Sequence, residues 1–209
     1  EGMSSIVRVD LRKRLAGVVI LRKPFRLDYS LDAFDHLDCE LILKDESVIG
    51  TIREALPDVA KEDLLLLISE LEVALKDALD LIQELESYEW VSYMTYRELP
   101  SVSQHPQNQR FHSWVLLIEL LRDCWLRLLE IDEPQAAQRA SDWFARPQIA
   151  FKRLAFFAGS KTKVIFPKMW VAWLLTNDAF CLWAIDTKRE VCRLIALQGN
   201  RLELRTQRQ

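Results

Sequence analysis

The chain has 209 residues, of which 50% are hydrophobic and 28% are charged, a balance typical of a folded globular protein rather than a disordered one. Its 5 glycines disfavour all-β folds and phosphate-cradling enzymes, because both need glycine for turns and for close backbone approach. The formal net charge is −3, and no apolar run reaches the ~18 residues of a membrane span, so we expect no membrane segment.

The charge is distributed unevenly along the chain. Residues 1–100 contain 12 Lys or Arg and 21 Asp or Glu, a net charge of −9, whereas residues 101–209 have a net charge of +6. One interpretation is that the two halves lie against each other; the alternative is a basic C-terminal surface that meets nucleic acid or an acidic partner.

The four cysteines are far apart and predict no disulfide framework, so we expect a cytoplasmic protein.

Short elements are predicted over the first 60 residues. An apolar stripe over residues 6–19 predicts a first helix that Pro24 ends or kinks. Residues 27–43 are ambiguous, because their middle fits a short acidic helix and residues 41–43 fit an extended segment. Residues 47–56 predict another short helix.

The strongest signal is a long helix over about residues 61–90. Its apolar residues recur at alternating steps of four and three, as in a bundle or a coiled coil. This seam consists of Leu64, Ile68, Leu71, Leu75, Ala78, Ile82 and Leu85. A second stripe widens the apolar face and consists of Leu67, Ala74, Leu81 and Tyr88. We therefore expect this helix to be buried against several helices of its own chain, with its acidic face solvated or docked on the basic half.

A loop is predicted over residues 100–109, where two prolines lie among small polar residues. It coincides with the change in charge, so we place there the boundary between an acidic N-terminal subdomain, residues 1–100, and a basic C-terminal subdomain, residues 109–209. We expect the two to form one continuous helical domain of a larger protein. Residues 111–130 predict a second long helix, antiparallel to the first.

The predicted helices become short after Pro134. They cover residues 135–145, 148–158, 167–175 and 188–197, and residues 178–185 fit a further helical turn. We therefore expect an all-α fold in which long antiparallel helices are followed by a stack of short helices, a bundle grading into HEAT-like helical hairpins.

Several patterns imitate reactive or ligand-binding sites, and each has a simpler structural explanation. Residues 158–162 resemble the end of a phosphate-binding loop, but the first glycine is absent, and Gly159 fits a helix C-cap. His36 and Cys39 have a metal-like spacing without a second ligand pair, and Cys124 fits core packing. The acidic long helix lacks the histidines of di-iron bundles. We therefore expect no catalytic residue, metal or cofactor.

Basic and aromatic residues alternate in the second half of the chain. This combination can bind single-stranded nucleic acid by phosphate contact and stacking, although aromatic residues at helical spacing are also typical of a core. The candidate contacts to a partner or to nucleic acid are Arg139, Arg146, Lys152, Arg153, Lys161, Lys163 and Lys168.

Five segments between residues 141 and 197 carry a family resemblance. They are Trp143-Phe144-Ala145-Arg146-Pro147, Phe151-Lys152-Arg153-Leu154-Ala155, Trp173-Leu174-Leu175, Leu182-Trp183 and Arg189-Glu190-Val191-Cys192-Arg193-Leu194. In this order they resemble the C-terminal helical region of large bacterial antiphage defence proteins with a sirtuin-like NAD-cleaving domain or a STAND-type ATPase. The resemblance covers about a quarter of the chain.

The resemblance implies a helical region that senses a phage component or holds an oligomer together, with the catalytic domain elsewhere in the polypeptide. No nucleotide-binding glycine motif occurs here, so no catalytic residue is carried over. Read from the residues alone, Arg189 or Arg193 is expected to pair with Glu190, or with an acid on the preceding helix, and so to tie two helices together.

Three hypotheses follow. The first is a non-catalytic helical scaffold or recognition module of a bacterial phage-defence protein, which binds a protein partner or neighbouring domains and is able to oligomerise. The second is a nucleic-acid-binding helical protein that uses the basic, aromatic-rich half. The third is a small helical enzyme or metal protein.

Overall fold

The computed structural model describes residues 3–22, 38–85, 99–108, 113–161 and 165–202. Within these ranges the chain forms eight α-helices and a two-stranded antiparallel sheet, which confirms the predicted all-α class with one small exception. The helices are α1 Ser5–Leu15, α2 Ser47–Ala55, α3 Lys61–Leu85, α4 Val115–Ile131, α5 Glu133–Ala145, α6 Ile149–Lys161, α7 Pro167–Trp183 and α8 Lys188–Gln198. The strands are β1 Gly17–Arg22 and β2 Asp38–Leu43.

The first helix ends earlier than predicted, because the chain enters β1 after Leu15. Gly17 lies opposite Leu43 in the antiparallel pair, and a Cβ at Gly17 would lie 3.0 Å from Cδ1 of Leu41. Residues 18–20 are all β-branched and favour a strand over a helix. The extended alternative for residues 41–43 is confirmed. The acidic helix predicted before them falls mostly on residues outside the described ranges.

The long helix is confirmed as α3 as far as Leu85; its predicted continuation to residue 90 lies outside the described residues. Every residue of the seam from Leu64 to Ala78 is fully buried, and Leu67 and Ala74 of the second stripe are buried as well. Each Leu or Ile buried in this way contributes about 1.5–3 kcal/mol. The predicted wide apolar face is therefore the centre of the core.

An ion-pair cluster attaches α1 to α3. Glu70 is buried and accepts hydrogen bonds from the guanidinium groups of Arg8 and Arg12; the Arg8 Nη2 to Glu70 Oε1 distance is 2.6 Å. Burial alone would raise the pKa of Glu70, but the hydrogen bonds and charges of Arg12 and Arg8 outweigh it and lower that pKa.

The second long helix, α4, packs against α3. The Lys61 Nζ atom at the start of α3 lies 2.6 Å from the Asp132 Oδ2 atom just beyond the end of α4, as the predicted antiparallel arrangement requires. Asp132 also caps α5, because its Oδ1 atom accepts a hydrogen bond from the Gln135 backbone N–H at 3.0 Å. One side chain thus joins three helices.

The α6 helix lies between α5 and α8 and is buried along almost its whole length. Gly159, predicted as a helix C-cap, lies inside α6 instead. A Cβ at this position would lie 3.3 Å from Cδ1 of Leu194 in α8, so glycine permits the close approach of the two helices. Residues 158–161 are helical, so this segment does not form a phosphate-binding loop.

The α7 helix is broken after Leu175, at the predicted end of the helix over residues 167–175. Thr176 has an extended ψ of 143°, and Asn177, Asp178 and Ala179 have φ values of 51°, 55° and 61°. A left-handed conformation costs an L-residue about 1–2 kcal/mol, because Cβ crowds the carbonyl oxygen. A single helical turn follows, in which the Ala184 backbone N–H donates to the Phe180 carbonyl oxygen.

Aromatic rings fill the core of the second half. Trp125 lies 6.3 Å from Trp143 and 6.2 Å from Phe157, measured between ring centroids. Phe144 stacks on Trp173 at 5.1 Å. The core interpretation of these helically spaced aromatic residues is therefore the correct one. The buried residues form one hydrophobic cluster that extends from Leu11 to Leu194.

Candidate recognition surface

Two of the predicted contact residues, Arg139 and Arg146, pair with the buried Glu72 of α3. Their Nη1 and Nη2 atoms lie 3.4 and 2.7 Å from Glu72 Oε2, and the Trp143 indole N–H donates to Glu72 Oε1 at 2.8 Å. The Arg146 guanidinium also lies 4.5 Å from the centre of the Phe151 ring. Both arginines therefore dock α5 on the acidic helix, as one interpretation of the charge asymmetry predicts.

Arg153 is 1% exposed and forms an ion pair with Glu190, which is 2% exposed. Its Nε and Nη2 atoms lie 3.1 Å from the two carboxylate oxygens, and Nη2 also donates to the Leu99 carbonyl oxygen at 2.6 Å. Glu190 in turn accepts a hydrogen bond from the Val102 backbone N–H at 2.8 Å. The pair ties α6, α8 and the loop over residues 99–108 together.

The partner predicted for Glu190 was wrong. Glu190 faces the core from the first turn of α8, whereas Arg189 and Arg193 lie on the exposed side of that helix. Arg189 instead donates to Gln107 Oε1 at 2.7 Å, so it also contacts the loop. Glu190 does tie two helices together, but through Arg153 of α6.

The lysines among the predicted contact residues have different surroundings. The Lys152 ammonium donates to the Phe144 carbonyl oxygen at 3.1 Å and lies over that ring. Lys161 lies 5.5 Å from the centre of the Phe157 ring, and burial, aided by nearby arginines, lowers its pKa. Lys168 is exposed on α7, and Lys163 lies outside the described residues. Five of the seven candidates thus have internal contacts, and the structure does not unite the described ones on one surface.

A polar cleft of about 280 Å³ lies between the loop, α2 and α4. Arg53 on one side donates to Asp123 Oδ2 at 3.0 Å and to Glu119 Oε2 at 3.2 Å. Arg122 donates to Asp123 Oδ1 at 2.8 Å and to the Val102 carbonyl oxygen at 2.8 Å. Opposite charges in the wall neutralise one another, so the cleft selects no ligand by charge.

The loop side of the cleft contains His105. Its Nδ1 atom accepts a hydrogen bond from the Gln107 backbone N–H at 3.1 Å and lies 3.4 Å from Nη1 of Arg189. The lining residues are Arg53, Gln104, His105, Asn108, Glu119, Arg122 and Asp123, and among those described none bears a hydroxyl or thiol nucleophile. The sequence did not reveal this cleft, because its residues come from three separate segments.

Several large apolar side chains are exposed in the second half of α7 and in the turn after it. We call the exposed residues Leu175, Phe180, Trp183 and Ile185 the C-terminal apolar surface. Trp183 is 79% exposed and Phe180 is 57% exposed, and the two lie three residues apart on one helical turn. Cys181, between them, is buried. The turn therefore directs one side inward and presents its aromatic side to solvent.

Sequence reasoning did not identify this surface, because residues 180–185 are apolar throughout and an unbroken apolar run is equally compatible with burial. The shortness of the predicted turn was the available signal: one turn of helix cannot bury all of its sides. Other exposed apolar residues include Ile6 and Val7 on α1, which are aliphatic, and Phe166 at the start of α7, which is a single ring without an exposed aromatic neighbour on the same helical turn. The residues that dominate protein interfaces are enriched in aromatic ones, which favours the C-terminal apolar surface.

Other classes of site find no support in the part of the chain that the structure describes. No group of three or more His, Cys, Asp or Glu side chains there is arranged to hold a metal ion. His36 lies outside the described ranges. Cys124 is buried in α4, as predicted for core packing, and burial raises the pKa of its thiol. None of the described helices is long and apolar enough to cross a membrane.

Comparison with known proteins adds no relative: no protein-family model, curated protein or solved structure matches the chain.

Proposed function

We propose that this chain is a non-catalytic, cytoplasmic helical recognition module that binds a protein partner. The observation that carries the proposal is the C-terminal apolar surface, which exposes a tryptophan and a phenylalanine on one helical turn. A large aromatic side chain gains about 1.5–3 kcal/mol when it is buried, so a partner that covers both rings gains a substantial part of an interface free energy.

The rest of the molecule is suited to presenting this surface. The side of α7 opposite Leu175 contributes the buried Trp170 and Leu174 to the core, so the helix is anchored up to its break. On the other side of the break, the Thr187 hydroxyl donates to the Cys181 carbonyl oxygen and also lies 3.2 Å from that of Ala184, which fixes the turn into α8. A recognition surface held on both sides loses little conformational freedom on binding.

The bacterial phage-defence context of the proposal rests on the resemblance of residues 141–197 alone. It predicts that the complete reading frame encodes an effector domain beside this module, and that recognition by the module is needed for protection against phage.

The test uses the complete reading frame in a bacterial host challenged with phage. We expect the double substitution Phe180→Ser with Trp183→Ser to abolish protection, because it removes the aromatic anchors without touching the core. The matched control is Ile6→Ser with Val7→Ser, which removes two exposed apolar side chains from α1 and is expected to leave protection intact. Full protection by the Phe180 and Trp183 variant, at an expression level equal to wild type, would contradict the proposal.

A nucleic-acid-binding function is the second candidate, and one observation favours it. The exposed rings of Phe180 and Trp183 lie at the end of α7, and α7 and α8 also expose Lys168, Lys188 and Arg193. Stacking rings and cations are the elements of a single-strand binding site. The protein-binding function is favoured because Leu175 and Ile185, the other members of the surface, are aliphatic and offer no stacking face. Affinity for single-stranded DNA that falls steeply with salt would favour the second candidate.

A further inference from the structure

We propose that the C-terminal apolar surface binds an acidic amphipathic helix of a protein partner. The inference rests on the proposed function and adds the chemistry of the partner. The α7 and α8 helices share a pattern of exposed residues. On α7, Lys168, Ala172 and Leu175 are exposed, and on α8, Lys188, Cys192 and Ile195 are exposed at the same steps of four and three.

Residues at these steps lie on one face of a helix, so each helix presents a lysine, a small residue and an aliphatic residue in a line. The line is about 10 Å long, because seven residues rise 1.5 Å each. The two helices that carry these lines pack against each other. The small residue in each line leaves room for a side chain of the partner between the lysine and the aliphatic residue.

The two lysines are not explained by the stability of their own helices. Lys168 and Lys188 lie in the first turns of α7 and α8, where the positive end of the helix dipole disfavours a cation. Neither has an acidic partner among the described residues, whereas Arg139, Arg146 and Arg153 pair with buried glutamates. Unpaired cations on the two helices that flank the exposed aromatic turn match a ligand that supplies carboxylates.

The local charge balance points the same way. Over residues 166–198 four basic residues are exposed, Lys168, Lys188, Arg189 and Arg193, against one exposed acid, Asp178. Glu190 is neutralised by Arg153 in the interior. A helix with apolar residues on one face and glutamate or aspartate beside them would cover the rings and place its carboxylates near the lysines.

The experiment uses two labelled synthetic peptides of about 18 residues, the length of a short amphipathic helix. Both have the same leucine face; the polar face is glutamate in one peptide and lysine in the other. Fluorescence anisotropy with the intact chain is expected to show affinity for the glutamate peptide at least roughly tenfold above that for the lysine peptide at low salt, and the difference is expected to shrink as salt is raised.

Two variants separate the charge from the apolar contact. Lys168→Glu with Lys188→Glu is expected to reverse the preference between the peptides, and Phe180→Ser with Trp183→Ser is expected to abolish binding of both. The control is Lys13→Glu with Ile6→Ser, a matched change on α1 that should leave both affinities unchanged. All six positions are exposed, and circular dichroism checks that each variant is folded.

The outcomes discriminate between the two levels of inference. Equal affinity for both peptides overturns the acidic partner, as does binding only to single-stranded DNA or only to vesicles of anionic phosphatidylglycerol. If neither peptide binds while the Phe180 and Trp183 variant still loses phage protection, the acidic partner is wrong and the recognition function stands. If that variant neither binds less nor protects less than wild type, both inferences fail.

Discussion

Four buried glutamates hold distant parts of this chain together, each through arginine side chains, and one of them is Glu119, which pairs with Arg53. Glu70 pairs with Arg8 and Arg12, Glu72 with Arg139 and Arg146, and Glu190 with Arg153. A buried charge is tolerated only when it is paired and hydrogen-bonded, so each of these side chains depends on the presence of its partners. The Glu190 pair is the most buried, since both of its members are almost inaccessible to solvent.

The Glu190→Gln substitution tests this dependence. It removes the carboxylate charge that faces the buried Arg153 guanidinium, so we expect the free energy of unfolding to fall by about 3–5 kcal/mol. Glu130→Gln is the control, because Glu130 forms an exposed pair with Arg127, with a 3.0 Å separation, and its loss should cost less than about 1 kcal/mol. Urea unfolding followed by tryptophan fluorescence measures both. A cost for Glu190→Gln no greater than that for the control would show that the buried pair adds no stability.

Asp186, in contrast to these paired glutamates, has a buried carboxyl oxygen, Oδ1, without a hydrogen-bond partner among the described residues. Burial raises its pKa above the ordinary value of 3.8 although the Arg153 charge lowers it. The stability that the protonated form contributes is therefore present below pH 3.8 and is lost as the pH rises through the folded-state pKa.

The Asp186→Asn substitution removes this ionisation. We expect the variant to be more stable than wild type at pH 7, and we expect the difference to shrink at pH values below 3.8, where the carboxyl group is protonated in both states. Chemical denaturation of both proteins across this pH range checks the sign. A difference that does not change with pH would exclude the titration of Asp186 as its cause.

At the scale of elements, the break in α7 comes at the predicted end of the helix over residues 167–175, but its backbone conformation is unusual. Three consecutive residues without glycine have positive φ values, and the side chain of Ala179 offers no hydrogen bond to offset the cost. The break separates Leu175 from Phe180 and so divides the C-terminal apolar surface between two helical segments. Strained backbone of this kind persists where the surrounding packing determines it, here through the buried Leu174 before the break and Cys181 after it.

Ala179→Gly measures this strain. Glycine adopts positive φ without the Cβ clash but is more flexible in the unfolded chain, so we expect a net stabilisation of about 0.5–1 kcal/mol. Ala172→Gly is the matched control, because Ala172 is exposed and precedes the break in the regular part of α7, and it should destabilise by about 1 kcal/mol. Thermal unfolding distinguishes the two. If both substitutions destabilise equally, Ala179 is not strained in the folded protein.

The elements that sequence reasoning predicted well are those where local and long-range preferences agree. In α3 the seam, the helix propensity and the acidic first turn all favour one helix. Residues 17–22 were assigned to the wrong element because an apolar run with several β-branched residues fits the end of a helix or a strand. The partner of Glu190 was missed because Arg153 is 37 residues away, and only the packing of α6 against α8 brings the two together.

At the scale of the whole molecule, the opposite charges of the two halves are used mainly inside the fold. Arg139 and Arg146 of the basic half neutralise Glu72 of the acidic half, and Arg53 of the acidic half contacts Glu119. The nucleic-acid surface predicted from the sequence included Arg139 and Arg146. A count of charges along the sequence does not show that these two arginines are paired inside the fold. Among the described basic residues of the second half, those that remain exposed are Lys161 on α6 and Lys168, Lys188, Arg189 and Arg193 on α7 and α8.

The shared core predicts that the two halves unfold together. The hydrophobic cluster includes residues from α1 to α8, and Lys61 of α3 is paired with Asp132 beyond α4. We expect one cooperative transition in urea, with coincident curves from circular dichroism and from tryptophan fluorescence. Two separated transitions would show that residues 1–100 and 109–209 are independent subdomains.

The attachment of the loop by Glu190 also means that this part of the fold forms late during synthesis. Val102 is held by a carboxylate that lies 88 residues later in the chain. At about 5–20 residues per second, the ribosome supplies that residue roughly 4–18 s after Val102 has been added. Until then the loop has no anchor from α8. The nascent chain therefore passes through a stage in which α3 and α4 have been synthesised but the loop over residues 99–108 is not yet attached to α8. We expect a chaperone to bind the chain at this stage.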